Sequence, residues 1–440
     1  MAFRLPLLLC IACAAPQGNR QATSKDLTQG FDANGRIPKV ALPDDIPNPE
    51  RWRYLPEGRI VEGSFLERFL ISSFAVPIAF FRSDVGAGGG VSITDIDFRT
   101  QRRREFATVL LTQTTEGQQN FAMIWRRWLD QLDLPAGGVL QEERSFVQVF
   151  AGYSKTLTRR FFGLGPGTAE GDETSFTDEV GAVAVQWNQS IPRAGDDWVT
   201  TLGVRLEQRN LSGGFIEDFP STEEAFPNLV AEGDSLGSLW VEGGLRYDTR
   251  DSQHNPYAGY SLGARFRGTP WMERDLGGTI YGLDGRAFVA LPGLFHEGGD
   301  ADEENPPTDV LALTIQAEDT AGDLPFWALP TLGGNNRLRG YIQNRFTDRA
   351  AWFAAAEYRF AILPRGRALS DRVRFERVGM ALFYELGAVA PGAEDFDFDG
   401  AESSYGVSLR LNLERAASFR FDLGFSDEGS NVTIQYGLSF

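Results

Sequence analysis

Few residues in this 440-residue chain have the types and spacing needed for catalysis. The segment Gly259–Gly263 matches the G-x-S-x-G pattern, in which Ser261 would act as a nucleophile, and His254 precedes it closely in the sequence. In hydrolases that pattern joins a strand to a helix, whereas here it begins an alternating segment typical of a strand. His254 lies in a predicted turn, and the chain has only two histidines. We therefore predict that the protein is not an enzyme.

The sequence also argues against a metal centre. Structural zinc sites are built from cysteine and histidine, and both cysteines, Cys10 and Cys13, lie in a predicted N-terminal leader. The segment Asp395–Gly400 begins like a calcium loop, but its twelfth position is Gly406, where an EF-hand needs a glutamate. We interpret this segment as the acidic tip of an outer loop, and calcium-dependent protection from protease would favour a metal site instead. No cofactor is predicted.

The elements that would position such residues are predicted to be β-strands. From Phe74 onward apolar and polar residues alternate, which is the period of a strand with one apolar and one polar face. No apolar run approaches twenty residues, so a transmembrane helix is not predicted. The even number of alternating segments indicates an all-β fold, a closed antiparallel transmembrane β-barrel of about 16 strands over residues 71–440. The segments begin near residues 74, 89, 106, 120, 145, 174, 197, 236, 259, 278, 308, 350, 372, 403, 417 and 431.

The connection formed by residues 319–349 is predicted to be the sixth outer loop of this barrel. It contains the apolar run Pro325–Pro330 and then a glycine-rich stretch that leads into Leu338 and Arg339. A loop surrounded by solvent does not need Trp, Phe and Leu side chains. We therefore expect the loop to fold back into the lumen and to pack against the wall.

Four stretches of the sequence carry a family resemblance. They are Pro77–Gly90 with its glycine-rich turn, Arg160–Gly165, Arg246–Tyr260 and the tetrapeptide Leu338-Arg339-Gly340-Tyr341. In that order they resemble the first hairpin, the aromatic-glycine loop, the D-T-R-D…N-P-x-x-G turn and the V/I/L-R-G-F/Y motif of the BamA and TamA superfamily. This superfamily comprises outer-membrane insertases and transporters, also called bacterial surface antigens. The resemblance covers residues 75–440, which is the whole predicted barrel.

The resemblance implies a fixed role for Arg339, whose side chain would insert into the lumen and pair with acids on neighbouring walls. Two candidates follow from the parity of the strands after the loop. The alternation predicts that the side chains of Trp352 and Tyr358 point outward, so that of Glu357 points inward. The side chain of Glu385 is likewise predicted to point inward, because its neighbours in the strand point outward. A guanidinium between two carboxylates would form a rigid, charge-assisted lock. The alternative is that these are ordinary charges of a wet pore.

The resemblance also implies a weak lateral seam between the first and last strands, where substrate strands pair with an open edge and the membrane is thinned. Here the seam would join residues 77–82 with residues 431–440, including Pro77, Leu438 and Phe440. Pro77 cannot donate a ladder hydrogen bond, which is compatible with a weakened edge but equally with a strand start.

The N-terminal part is predicted to direct export. Residues 1–15 resemble a signal peptide, with Arg4 before an apolar core and a small-residue cleavage site at Ala12–Ala14. Lipidation of Cys13 is the alternative. Residues 16–70 are rich in Pro, Asn and Asp and are predicted to be a flexible periplasmic lead-in, too short for the POTRA modules that family members usually carry.

The net charge of −18 argues against nucleic acid as a partner. The expected surroundings are outer-membrane lipid and lipopolysaccharide, with a periplasmic or lipoprotein partner and unfolded protein as a substrate. We predict an integral outer-membrane barrel that assists insertion or translocation of protein or lipid. The alternative is a passive pore or a structural surface barrel. The acidic insert at residues 297–304 either docks a partner or marks an error in the predicted strand register.

Overall fold

The computed structural model describes residues 41–55, 73–82, 86–135, 137–216, 218–299, 306–368, 374–413 and 417–440, together with residues 36, 39, 57 and 303. The predicted leader, residues 1–15, lies outside the described residues, and of Pro77 only the backbone is described. Within these ranges no helix combines the length and the apolar character needed to span a membrane.

Strands make up most of the described chain. In chain order they are β1 Arg53–Leu55, β2 Ser73–Arg82, β3 Gly86–Asp95, β4 Glu105–Thr114, β5 Gln119–Trp128, β6 Gln131–Asp133, β7 Val139–Gln141, β8 Phe146–Phe161, β9 Thr174–Ile191, β10 Trp198–Gly213, β11 Leu236–Asp248, β12 Gly259–Met272, β13 Gly277–Leu291, β14 Asp309–Asp323, β15 Thr331–Leu332, β16 Phe346–Thr347, β17 Ala350–Leu363, β18 Arg367–Ala368, β19 Arg374–Ala390, β20 Glu402–Leu413, β21 Ala417–Ser426 and β22 Gly429–Tyr436. Two short helices, α1 Thr222–Ala225 and α2 Pro227–Gly233, lie between β10 and β11. Single 3-10 turns occur at Pro49–Arg51, Phe98–Thr100, Glu170–Asp172, Glu273–Asp275, Phe326–Ala328 and Ala393–Asp395.

One large antiparallel sheet contains the long strands, which confirms the all-β prediction. The strands β2, β3, β4, β5, β8, β9, β10, β11, β12, β13, β14, β17, β19, β20, β21 and β22 pair in that order. Each of them begins within three residues of a predicted start, since the largest difference is residue 86 against residue 89. The ladder between β13 and β14 continues without a shift to Leu291↔Asp309, so a register error does not explain the acidic insert.

The two faces of this sheet differ in chemistry. On one face Leu262, Leu283 and Ile315 of neighbouring strands are 58%, 65% and 61% exposed, as contact with lipid requires. The opposite face carries charged side chains such as Asp284 and Glu357, which are 5% and 0% exposed. We call this second face the inner face, the end of the sheet that bears residues 324–349 the upper end, and the opposite end the lower end.

Part of the predicted flexible lead-in is ordered at the lower end. Arg53–Leu55 pairs with β7, which also pairs with β6, and the three strands form a small separate sheet. The Arg53 Nη1 atom lies 3.1 Å from Oε1 of Glu143, and Asn48 Nδ2 donates to the Gly195 carbonyl over 2.9 Å. The prediction of a flexible segment is therefore wrong for β1. A three-residue strand is too short to show a period in the sequence.

The predicted seam strand, residues 431–440, ends earlier than expected, so the placement of Phe440 at its edge is wrong. Strand β22 ends at Tyr436, and Gly437 has a φ of 94°, a left-handed conformation that favours glycine. The chain then turns inward, and Phe440, 8% exposed, packs in a cluster on the inner face with Phe288 and Phe353. The turn at Gly437 removes Phe440 from the strand edge where it was predicted.

Candidate functional site

Residues 324–349, which we call the inserted loop, lie against the inner face. Phe326 contacts Phe161 and Phe176, with ring centroids 4.7 and 5.3 Å apart. The Trp327 indole N–H donates to the Gly233 carbonyl over 2.9 Å. These contacts explain the apolar run in the loop, because its aromatic side chains bury themselves against β8, β9 and α2.

The backbone of the loop passes very close to the inner face of β21. Leu338 has a φ of 51° and turns the chain before Arg339. A Cβ atom on Gly340 would overlap the carbonyl oxygen of Phe425, and one on Gly424 would lie 2.5 Å from the Arg339 carbonyl oxygen. Glycine at both positions therefore allows two backbones to meet, and this contact sets the depth of Arg339.

The structure brings Arg339 together with both predicted acids. The Arg339 side chain is fully buried, with Nε 2.7 Å from Oε1 of Glu385 and Nη1 2.9 Å from Oε1 of Glu357. The backbone N–H of Arg339 also donates to Oε2 of Glu385 over 2.6 Å. Glu385 therefore holds both the main chain and the side chain of this residue. We call the set Arg339, Glu357 and Glu385 the arginine lock.

Two further side chains of the lock were missed in the sequence. Asp422 Oδ1 lies 3.5 Å from Nη1 of Arg339, and the Phe383 ring centroid lies 3.5 Å from the guanidinium carbon, a cation–π contact. Asp422 alternates with the outward residues of β21, so the parity argument that identified Glu357 also applies to it. Asp422 lies on β21, far from the loop in the sequence, and parity alone does not indicate that this strand contacts Arg339.

Glu357 is shared among several groups of the inner face. Its Oε2 atom lies 2.9 Å from Arg359 and 2.7 Å from Nη2 of Arg410, while Oε1 accepts a hydrogen bond from Ser439 over 2.9 Å. Arg359 also donates to the Phe440 carbonyl over 3.2 Å. The carboxylate of Glu357 thus contacts both Arg339 of the inserted loop and Ser439 near the end of the chain.

The inserted loop is tied to the hairpin of β21 and β22 as well. The Tyr341 hydroxyl donates to Asp427 over 2.6 Å and is 2.8 Å from Glu402, and Arg345 pairs with Glu428 at 2.7 Å. Asn431 of β22 donates from Nδ2 to the carbonyl oxygens of Arg339 and Tyr341, both over 3.1 Å. Arg339, Gly340 and Tyr341 thus contact the last hairpin, whereas Leu338 is buried in the apolar cluster that contains Phe353 and Phe440.

The remaining predicted residues lie at separate places in the sheet. Pro77 lies in β2 opposite Val91 of β3, and Phe440 is not at an exposed edge. Ser261 is buried in β12, whereas His254 lies 3.3 Å from Glu143 at the lower end. In the described part of the chain, no group of three His, Cys, Asp or Glu side chains is placed to hold a metal ion.

Comparisons with known proteins bear on this architecture. The model of the Omp85 superfamily domain matches residues 196–440. The BamA structure from Haemophilus ducreyi lacking POTRA domains 1–3 has a TM-score of 0.50 at 12% identity, over 83% of this chain and 70% of that one. CdiB from Escherichia coli has a TM-score of 0.51 at 13% identity, over 94% of this chain and 69% of that one. These structural likenesses concern the fold alone. No curated protein sequence matches the chain.

Proposed function

The chain belongs to the Omp85 superfamily, and from this premise we propose that it assists the insertion or export of polypeptide, or of lipid, at the bacterial outer membrane. The resemblance predicted from the four motifs is confirmed by the family match and the similar folds. An outer-membrane protein of the Omp85 type follows from the same findings. The particular activity is our proposal, and it is not enzymatic.

We propose further that the large sheet closes into a barrel of sixteen strands with the inserted loop inside. The loop contacts β8 and β9 through Phe326, and it contacts β22 through Asn431. A sheet whose distant strands touch one loop on the same face must be strongly curled. Closure would also pair the edge N–H and C=O groups, each of which costs several kcal/mol when left unpaired in lipid.

The attachment of β22 to the inserted loop is the observation that carries the functional proposal. Asn431 binds the backbone on both sides of Gly340, and Ser439 binds Glu357 of the lock. Movement of the loop would therefore change how firmly the last strand is held. A passive pore has no need of such a connection between its inner loop and one particular strand.

The proposed mechanism follows from the physics of strand edges. When β22 and β2 separate, each presents unpaired N–H and C=O groups, which are a template for an incoming strand. Pro77 has no N–H, so β2 can make one ladder hydrogen bond fewer, which weakens the strand that borders the proposed seam. An unfolded substrate strand would satisfy these groups while its apolar side chains enter lipid.

The test is the folding rate of an unrelated outer-membrane barrel into liposomes that contain the purified full chain. We expect faster folding with the wild-type protein than with empty liposomes, and loss of the acceleration in Arg339→Ala. Arg349→Ala is the matched control, because Arg349 belongs to the same loop but its side chain, within the described part of the chain, donates to the Thr320 and Gly322 carbonyls and to no residue of the lock. Equal folding rates with and without the wild-type protein would contradict the proposal.

Channel recordings separate this function from the alternative of a passive pore. The inserted loop covers the inner face from β8 to β22, so we expect small and infrequent openings. Large, steady conductance in the wild-type protein would favour the pore. Deletion of residues 324–337 leaves the tetrapeptide of residues 338–341 in place. This deletion should increase conductance if the loop obstructs the lumen.

A further inference from the structure

A second cluster of arginines lies on the inner face, on the strands β11 to β13. Three guanidinium groups surround Asp284, whose side chain is 1% exposed. The closest distances to its carboxylate oxygens are 3.4 Å from Arg246, 3.8 Å from Arg265 and 3.9 Å from Arg286. These distances exceed the 2.7–2.9 Å typical of charge-assisted hydrogen bonds. One carboxylate therefore does not satisfy the three arginines.

Two glycines lie on the inner face directly beneath these side chains. A Cβ atom on Gly263 would lie 2.8 Å from Oδ1 of Asp284 and 3.3 Å from Nε of Arg246, and one on Gly282 would lie 2.9 Å from Nε of Arg265. Both glycines face inward and are in ladder register with the charged residues, as Gly263↔Asp284 and Gly282↔Arg265. Their lack of a side chain lets the arginines lie flat along the wall.

The charges of the cluster do not balance. Among the described residues, Glu318 is the other acid that pairs with these arginines, and it binds Arg265 at 2.7 Å and Arg337 of the inserted loop at 2.6 Å. Four guanidinium groups thus face two carboxylates, which leaves an excess of two positive charges in a protein of net charge −18.

Several hydrogen-bond donors of the cluster have no acceptor among the described residues. Within the described part of the chain, the buried Nε atoms of Arg246 and Arg286 and the hydroxyl of Ser261 make no hydrogen bond. Ser261 is fully buried and lies directly opposite Arg286 in the ladder. The arginine side chains of residues 246 and 286 are 34% and 21% exposed, so a ligand in the lumen can reach them.

We propose that Arg246, Arg265, Arg286 and Ser261, which we call the arginine cradle, bind a phosphate group. A phosphomonoester carries about −1.5 to −2 charges at neutral pH, which matches the excess of two positive charges, whereas a carboxylate supplies only one. Guanidinium groups bind phosphate oxygens through paired N–H donors. Ser261 adds a hydroxyl donor beside Arg286. The phosphate is either free inorganic phosphate or the phosphomonoester of a lipid headgroup.

Calorimetric titration of the purified full chain tests this site in a sugar-based detergent that contains no phosphate. Inorganic phosphate should bind to the wild-type protein, and the double variant Arg246→Gln, Arg286→Gln should bind it at least about tenfold more weakly. Arg126→Gln is the matched control, because Arg126 is also on the inner face but hydrogen bonds to Gln148. Heat-modifiability on gels shows whether each variant is folded, and Ser261→Ala provides a milder test of the same site.

Titration of glycerophosphate, a soluble analogue of a lipid that carries a phosphomonoester, separates the two sources of the phosphate. Tighter binding of glycerophosphate than of inorganic phosphate assigns the cradle to lipid, and the reverse order assigns it to the free ion. The proposal is overturned if neither ligand binds more tightly than chloride at equal ionic strength. It is also overturned if Arg126→Gln weakens binding as much as the double variant does.

Discussion

Arg339 shows how a single charged residue can be stable in a buried position. Its guanidinium loses all contact with solvent, but Glu357, Glu385 and Asp422 surround it with negative charge, and the Phe383 ring covers one face. Removing one partner of a buried pair costs about 3–5 kcal/mol, because the remaining charge has no counterion. Displacing the loop would therefore leave buried carboxylates without their counterion, and this penalty keeps Arg339 in its position.

We predict that Arg339→Ala destabilises the folded protein by about 3–5 kcal/mol and makes the inserted loop sensitive to protease. The loss should appear as a lower temperature of the heat-modifiable band shift on gels. Arg339→Lys should recover only part of the loss, because one ammonium cannot reproduce the separate Nε and Nη1 contacts. A variant with wild-type heat-modifiability and protease resistance would show that these charges are merely solvated lumen groups.

A second prediction at this scale concerns Gly340. A methyl group there would overlap the Phe425 carbonyl, so Gly340→Ala must lift the loop from β21 and should cost about 1–3 kcal/mol. Gly181→Ala is the control, since a Cβ at Gly181 meets nothing within 4 Å. The measurement is the denaturant midpoint of unfolding in detergent. Equal midpoints for the two variants would contradict the close approach of loop and strand.

At the scale of the elements, the sequence predicts long strands far better than short ones. The strand β12 was recognisable because fourteen residues repeat with a period of two. The three residues of β1 give no such signal, and their pairing with β7 depends on Arg53 reaching Glu143 across 90 positions of sequence. The same holds for residues 437–440, whose inward turn follows from tertiary contacts with Glu357 and Arg359. For the lock, parity located Glu357 and Glu385, but nothing local in the sequence associates Arg410 with Glu357.

The attachment of β1 should depend on pH. Burial favours the neutral form of Glu143, but Arg53 and His254 hold the pKa of this carboxyl at about 2, below its ordinary 4.5. Because the folded pKa is depressed, the stabilisation is fully present above pH 4.5 and is lost as the pH falls toward 2. We therefore expect hydrogen exchange at residues 53–55 to accelerate in that range relative to the large sheet. In Arg53→Ala the acceleration should already occur at neutral pH.

The control for this element is Arg193→Ala, which removes an exposed pair with Asp196 at the same end of the molecule. Exposed pairs contribute little, so exchange in β1 should be unchanged in that variant. Protection of residues 53–55 that is independent of pH between 4.5 and 2 would show that Glu143 does not anchor this strand.

At the scale of the whole molecule, the inserted loop connects parts of the sheet that are far apart in sequence. Its aromatic run packs on β8 and β9, Arg337 reaches Glu318 of β14, and Arg339 and Tyr341 bind β17 to β22. A displacement of the loop therefore alters contacts around the sheet simultaneously. Such coupling is what a barrel needs if its seam is to open only when the loop moves.

Asn431→Ala tests this coupling without removing an ion pair of the lock. The variant loses two hydrogen bonds to the loop backbone, each of which contributes about 0.5–1.5 kcal/mol. We therefore expect β22 to separate from the loop about tenfold more often than in the wild-type protein. Single cysteines scanned along β2 and β22 report the separation, through their rate of modification by a thiol reagent in liposomes. Asn412→Ala is the control, because it removes an inner-face asparagine that, among the described residues, accepts a hydrogen bond from Ser418 of β21 and makes none to the loop. If modification of β22 cysteines is equally slow in both variants and in the parent, the loop does not restrain the last strand, and the proposed link between loop and seam fails.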